Sequence, residues 1–232
     1  MIRLVEIFRS IQGEGLFIGS PAVFVRTHGC NLQCPFCDTK YSWFTNLGEG
    51  YREVDDNQLW NEINDIRQKR DIVVFTGGEP MLWQDQLVNV IKRLPMVSHV
   101  ETNGTVIPTP EMRKHVTHFV VSPKEWEDRE MQEQVSWWIK NVKKMSLKFV
   151  ISDEEDVTYI NELFDLTRVK DVILQPERYA ATSDTAWNNT AQSEYLKQLI
   201  KLIDWSNLHL TGVNWRVLPQ LHYLLYGNKT GV

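Results

Sequence analysis

The sequence predicts an α/β fold: a parallel sheet with crossover helices, forming an incomplete, TIM-like β/α barrel of about six βα units in a single domain, 1–232. Three observations predict it. Short β-branched runs alternate with amphipathic helical segments along the chain. No linker, repeat or low-complexity block interrupts them. Five polar or glycine-bearing motifs each follow a strand-like run, where α/β folds collect their chemistry. Right-handed crossovers leave an open sheet or a barrel as alternatives. Six or so units in roughly 200 residues fall short of the eight that complete a barrel.

The expected strands are 3–8, 22–27, 72–76, 99–102, 119–122, 147–151 and 171–174. Between them, Leu59, Ile63 and Ile66 make an apolar helical stripe after the capping candidates Asp55 and Asp56. Leu87, Val90, Ile91 and Leu94 make a second, stopped by Pro95. Val157, Ile160, Leu163 and Phe164 line a third, and Tyr195, Leu196, Leu199, Ile200 and Ile203 a fourth. The five motifs are 29–37 after "AVFVRT", 77–80 after "IVVFT", 103–104 after "HVET", 123–124 after "FVVS" and 175–176 after "DVIL". In a βα array they share one rim. Trp60, Trp137 and Trp138 fall in amphipathic helices and read as core or dimer-contact residues.

Bulk charge narrows the partners. Thirty acidic against 25 basic residues leave a net charge of −5, the wrong sign for a nucleic-acid backbone binder. The opening "MIRLVEIFRSIQGEG" lacks the apolar core of a secretory signal. No stretch approaches the roughly 20 apolar residues of a membrane span. A cytoplasmic protein is the expectation, and in a reducing compartment clustered cysteines favour metal or redox roles over disulfides.

All three cysteines lie in "HGCNLQCPFCDT": Cys30, Cys34 and Cys37, spaced Cys-x3-Cys-x2-Cys. Three thiolates on one tight loop can each ligate one corner of a [4Fe–4S] cluster, leaving the fourth iron open to a small molecule. Zinc, with His28 or another histidine as fourth ligand, is the alternative that spacing leaves. "TGGEP" (76–80) adds two glycines at a strand end, able to adopt positive φ or approach a ligand closely.

At these residues the sequence resembles the radical S-adenosylmethionine (SAM) superfamily, whose cluster motif has an aromatic before its last cysteine, here Phe36. The resemblance implies that the methionine amino and carboxylate groups chelate the open iron. It further implies that one electron cleaves the sulfonium to a 5′-deoxyadenosyl radical. It places cofactor contacts at Phe36, Cys37, Asp38, Gly78, Glu79, Ser122, Lys124 and Gln175.

Three further segments, "SIQGEG" (10–15), "FVRTHGC" (24–30) and "CDT" (37–39), look like the 7-carboxy-7-deazaguanine synthase family, as does the tail "RVLPQLHYLLYGNKTGV" (216–232). The family substrate is 6-carboxy-5,6,7,8-tetrahydropterin. Arg26 offers a rigid fork for its carboxylate. Gln12, Gly13 and Glu14 offer donors and acceptors for the pterin edge, Thr76 a hydroxyl, and His222 a closing side chain. The resemblance makes Thr39 a ligand of Mg2+, which orients the substrate carboxylate.

The reaction it implies abstracts hydrogen from C6, contracts the pyrazine ring to a pyrrole, returns the hydrogen and releases ammonia, with no net redox change. The product would enter 7-deazapurine (queuosine-type) biosynthesis. An external one-electron reductant and a homodimer are the expected partners. A glycyl-radical activase acting on a partner protein, and a zinc-bearing binding module, are the competing readings. Segments 40–53 and 178–194, and the tail 213–232 as a family-specific unit, carry no assigned chemistry beyond His222.

Overall fold

The chain opens with an antiparallel hairpin, not with a βα unit. In the structure, a computed structural model describing residues 1–44, 50–177 and 189–227, β1 spans Ile2–Ile11 and β2 Pro21–Thr27. The two pair antiparallel, with a register shift between Leu4 and Glu6. The expected strand 3–8 is therefore longer and reversed. The reason is length: segment 12–20 is shorter than the dozen or so residues a parallel crossover needs.

From β2 onward the pattern is regular. A short β3 (Arg52–Val54) pairs antiparallel with β1. Then come α1 (Asp56–Ile66), β4 (Ile72–Gly77), α2 (Gln84–Ile91), β5 (Ser98–Thr102), α3 (Pro110–His115) and β6 (His118–Val121). They are followed by α4 (Arg129–Asn141), β7 (Met145–Ile151), α5 (Glu154–Leu163), β8 (Val172–Pro176), α6 (Asn189–His209), β9 (Trp215–Val217) and α7 (Leu221–Tyr226). The sheet order is β3-β1-β2-β4-β5-β6-β7-β8-β9, parallel from β2 to β9. Six helical crossovers join the parallel strands, and among the described residues β3 and β9 do not pair. This is the incomplete barrel of about six units that the alternation predicts.

Two strands, β3 and β9, escape the sequence reading because three residues carry too little periodicity. The stripe ending at Leu94 also overshoots, since α2 stops at Ile91. Among the described side chains of α6 the buried positions are Tyr195, Leu202 and Ser206, while Leu196, Ile200 and Ile203 are exposed. The fourth stripe is therefore split: Tyr195 faces inward with Leu202 and Ser206, while Leu196, Ile200 and Ile203 face outward. Motif 175–176 lies within the end of β8 rather than after it. No helix of the described residues is long and apolar enough to cross a membrane.

Side-chain alternation splits each parallel strand between two environments. Val25, Phe75, Val100, Leu147, Phe149 and Leu174 join the large core under the helices. Trp138 of α4 is fully buried there, edge-on to Phe119 at 5.3 Å, with Nε1 donating to Gly104 O at 2.9 Å. Their neighbours Arg26, Thr76, Glu101, Lys148 and Gln175 point the other way and line the barrel interior. Phe17, in a 3-10 turn at Gly15–Phe17, plugs the floor against Ala22, Ile72 and Val74.

Helix starts are locally encoded. Asp55 and Gln58 form a reciprocal capping box on α1, and Asp153 with Asp156 does the same on α5. Asp128 caps α4 and Thr109 caps α3.

The glycine pair of "TGGEP" has a packing role. A Cβ on Gly78 would stand 2.1 Å from Gly29 O, and one on Gly77 (φ +146°) 2.3 Å from Thr27 O. The end of β4 thus lies backbone to backbone against the start of the cysteine loop, joined by Gly78 N to Thr27 O (3.2 Å) and Glu79 N to Gly29 O (2.8 Å). Replacing Gly78 with Ala is expected to cost about 3 kcal/mol, the upper end of overpacking. Gly19→Ala should cost only about 1 kcal/mol, because φ is positive but nothing lies within 4 Å. Denaturant midpoints of the two variants check the order; equal losses would remove the close approach as the reason for glycine.

Candidate active site

The rim of the sheet encloses a cavity of about 270 Å³. Cys30, Cys34, Phe36, Cys37, Asp38 and Thr39 border it from the loop after β2. Gly78, Ser122, Lys124 and Gln175 border it from later strand ends, and Gln12, Gly13, Glu14, Arg26, Thr76 and His222 complete the wall. Of the residues assigned from sequence to the cluster, the cofactors or the substrate, only Glu79 is absent from this lining. Its carboxylate is fully buried and accepts from Met81 N (2.9 Å), Thr102 Oγ1 (2.8 Å) and Asn103 N (2.7 Å). Burial pushes its pKa up to about 7, against the pull of those donors. Glu79 therefore ties the β4 and β5 loops together.

The three thiols are free and half-buried. Burial raises the pKa of Cys30 and Cys34, and the neighbouring thiols raise both further. Three soft sulfurs facing one cavity, in a chain with no other cysteine, fit an iron–sulfur cluster, whose charge would deprotonate them. Two donors already address Cys30 Sγ, Leu32 N at 3.4 Å and Asn103 Nδ2 at 3.9 Å. Trp43 Nε1 addresses Cys37 Sγ at 3.3 Å. His28, the zinc candidate, stacks on Tyr51 with ring centroids 4.6 Å apart and does not line the cavity.

Beyond the thiols, Lys124 Nζ donates to Ser122 Oγ at 2.8 Å and stands 5.9 Å from the Phe36 ring centroid. Burial, then the Lys148 charge, lowers the Lys124 pKa. Gln175 Oε1 is buried without a hydrogen-bond partner among the described residues. An orphaned acceptor on a cavity wall fits a donor supplied by a ligand, as S-adenosylmethionine supplies from its adenine and ribose.

The opposite wall is an ordered polar network. Glu6 and Arg26 are cross-strand partners, with Arg26 Nε donating to Glu6 Oε1 at 2.6 Å and Tyr41 OH to the same oxygen at 2.9 Å. Gln12 Nε2 and Thr76 Oγ1 donate to the two oxygens of Glu101 at 2.9 and 3.0 Å. Gln12 Oε1 accepts from Glu14 N at 3.2 Å, so that side chain is spent on holding its neighbours. Glu14 pairs with Lys148 and accepts from Gln220 Nε2 at 2.8 Å. Gln220 also reaches Asp38 at 3.4 Å, and its Oε1 is buried and unpartnered among the described residues.

Gly13 is pressed by the tail: Leu221 N donates to Gly13 O at 2.9 Å, and a Cβ there would meet His222 Nδ1 at 2.6 Å. Potential ligand atoms of Glu14, Asp38 and His222 lie within 4.8 Å of one another. The Lys148 ammonium on Glu14 opposes a cation at that point. Thr39 Oγ1 lies 3.8 Å from Cys37 Sγ.

Glu101, Lys148, Gln220, Tyr41 and Trp43 line the cavity but were not singled out from sequence. Lys148 did leave a trace: it is a charge inside the apolar strand "MSLKFVI", which only an inward polar partner explains. Glu101 lies in "HVET", just before the motif at 103–104, and Gln220 in the tail "RVLPQLHYLLYGNKTGV", segments noted without assigning those two residues.

An incomplete barrel with three cysteines on its first rim loop defines a radical SAM protein, and the profile of that superfamily matches residues 24–152. The chain is 31% identical to the 7-carboxy-7-deazaguanine synthase of Pyrobaculum aerophilum, over 99% of its own length and 97% of that protein. It is 33% identical to that of Hyperthermus butylicus, over 97% and 93% respectively. It therefore belongs to the 7-carboxy-7-deazaguanine synthase family. The crystal structure of QueE from Escherichia coli shares the fold, with a TM-score of 0.62 at 22% identity over 95% of this chain and 94% of that one. Membership of the superfamily implies a [4Fe–4S] cluster and S-adenosylmethionine as cofactors.

The buried pair gives a pH test. Burial alone would raise the Glu14 carboxyl, but the Lys148 ammonium overrides it and holds the pKa near about 2. A depressed carboxyl adds stability that is complete above its ordinary value and lost as pH falls from about 4.5 toward about 2. Lys148→Met leaves Glu14 buried and unpaired and is expected to cost about 3–5 kcal/mol at pH 7. Adding Glu14→Gln should recover part of that loss. Urea titrations at pH 7 and 3.5 measure both effects; a Lys148→Met loss below 1 kcal/mol at pH 7 would mean the pair is not a buried one.

Proposed function

We propose that this chain converts 6-carboxy-5,6,7,8-tetrahydropterin to 7-carboxy-7-deazaguanine, a carbon–nitrogen lyase reaction. One ring nitrogen leaves as ammonia and no net redox change occurs. The observation that carries this reading is a single cavity joining the three thiols to the Arg26, Glu14, Glu101 and Gln220 wall. When bound, the cluster and S-adenosylmethionine supply the radical that activates C6.

The protein's own residues bind and orient. Arg26 spends Nε on Glu6, and its terminal nitrogens are the fork offered to the substrate carboxylate. Glu101, held on both oxygens, keeps lone pairs for the amino and ring N–H groups of a pterin. The unpartnered Gln220 Oε1 accepts from another ring N–H. Lys124, Ser122 and Gln175 stand on the cofactor side, with Phe36, Asp38 and Gly78 beside them. Gln12, Thr76 and Gly13 shape the substrate wall, and His222 closes it.

Mg2+ is the proposed third cofactor, with the Thr39 hydroxyl as its protein ligand. Adjacent Asp38 adds negative charge, and a hard cation of this kind keeps several waters. We read the chain as a single 1–232 unit acting in the cytoplasm on a small molecule, with an external one-electron reductant. We also propose a homodimer, for which the exposed Leu196, Ile200 and Ile203 of α6 are available surface. The product enters 7-deazapurine (queuosine-type) synthesis.

Anaerobic protein loaded with cluster, then given reductant, S-adenosylmethionine, Mg2+ and the carboxytetrahydropterin, should release 7-carboxy-7-deazaguanine over many turnovers without equivalent 5′-deoxyadenosine. No product from a fully loaded cluster would sink the assignment. Deoxyadenosine formed in step with a modified partner protein would point to an activase instead. Arg26→Met should lower kcat/KM by roughly 10–100-fold, the worth of a charged hydrogen bond, chiefly through KM.

A further inference from the structure

We infer that Trp43 tunes the redox potential of the cysteine-held centre by donating its indole N–H to the sulfur of Cys37. This rests on the cluster reading of the Cys30, Cys34 and Cys37 set and gives a role to the loop after "CDT". An indole nitrogen is a donor only, so the direction of the 3.3 Å contact is not in question.

The contact is built in by the local chain. A 3-10 turn at Lys40–Ser42 is closed by Ser42 N and Oγ on Thr39 O, at 2.8 and 2.7 Å. Trp43 N donates to Lys40 O at 3.2 Å, and Phe44 N to the same oxygen at 2.8 Å. Gly29 N donates to Ser42 O at 2.9 Å, which fastens this turn to the start of the cysteine loop. Ser42 is fully buried. Trp43 is thereby held beside Cys37 by the loop that carries the three ligands.

A donor on a ligand sulfur stabilises negative charge there. The reduced cluster carries one more electron than the oxidised one, so the bond strengthens on reduction and raises the potential. Removing the N–H while keeping an aromatic ring should make the cluster harder to reduce. The electron comes from the external reductant already invoked, and no further co-reactant is needed.

The test is a redox titration of loaded protein without substrate, followed by electron paramagnetic resonance. At the wild-type midpoint, Trp43→Phe should show about a tenfold lower ratio of reduced to oxidised cluster, equivalent to about 59 mV for one electron. Tyr41→Phe, which removes from the same turn a hydroxyl that donates to Glu6 and not to a sulfur, should leave that ratio within twofold. An unmoved Trp43→Phe ratio at full iron and sulfide content overturns the inference.

If Trp43→Phe fails to load, wild-type protein with 15N in its tryptophan rings still decides. The reduced cluster should couple to an indole nitrogen. The other indole nitrogens with partners among the described residues bond backbone carbonyls, at His28, Pro123 and Gly104. No coupled nitrogen in a loaded cluster refutes the contact. Wild-type protein that takes up zinc and no iron or sulfide would instead sink the cluster reading, and this inference with it.

Discussion

The site depends on one close approach, between the backbone at the end of β4 and the backbone that opens the cysteine loop. Gly77 and Gly78 have no side chains to hold the two apart, and two amide hydrogen bonds fasten them. Glu79 then anchors the next rim loop through Thr102 and Asn103. Asn103 reaches back to Cys30 and Asn31. Three rim loops are thus linked, and the thiols have a floor. A cluster ligand set on an isolated loop would lack that preorganisation, since a loop alone cannot fix three sulfurs against its own conformational entropy.

A second constraint is the polar interior. Parallel strands are usually apolar on both faces, yet here the inner face carries Arg26, Glu101, Lys148 and Gln175. Buried charge is tolerable only when paired. Glu6 answers Arg26 across a strand pair, Lys148 answers Glu14, and Glu101 receives hydrogen bonds from Gln12 and Thr76. The same low dielectric that makes these pairs necessary strengthens whatever they do to a ligand. His99, fully buried below Glu101, is driven down to about 3 by burial and stays neutral, so the floor adds no charge to the wall above it.

Several expectations needed only local information. The runs at 72–76 and 147–151 read as strands because β-branched and aromatic residues dominate them: Ile72, Val73, Val74, Phe75 and Thr76 in the first, Phe149, Val150 and Ile151 in the second. The cysteine motif is legible because its three ligands share one loop, where spacing alone sets geometry. "TGGEP" is recognisable too: Gly77 takes the expected positive φ and both glycines line the cavity, while the close backbone packing that also requires them is visible only in the fold. Glu79 was placed on the cofactor side, and the fold turns its carboxylate into the protein. In α6 periodicity identified a helix without saying which side is buried, because two apolar stripes compete on it.

By itself the sequence determined the βα alternation, the three-thiol set and the family signature, all encoded by neighbours within a few residues. Tertiary structure alone decided which polar groups share the cavity. Glu14 and Lys148 stand 134 positions apart, and Glu14 and Gln220 stand 206 apart. Sheet register and the return of the tail onto Gly13 bring them within hydrogen-bond reach. Those contacts depend on strand order and on which way each pleat points, and both are properties of the whole sheet.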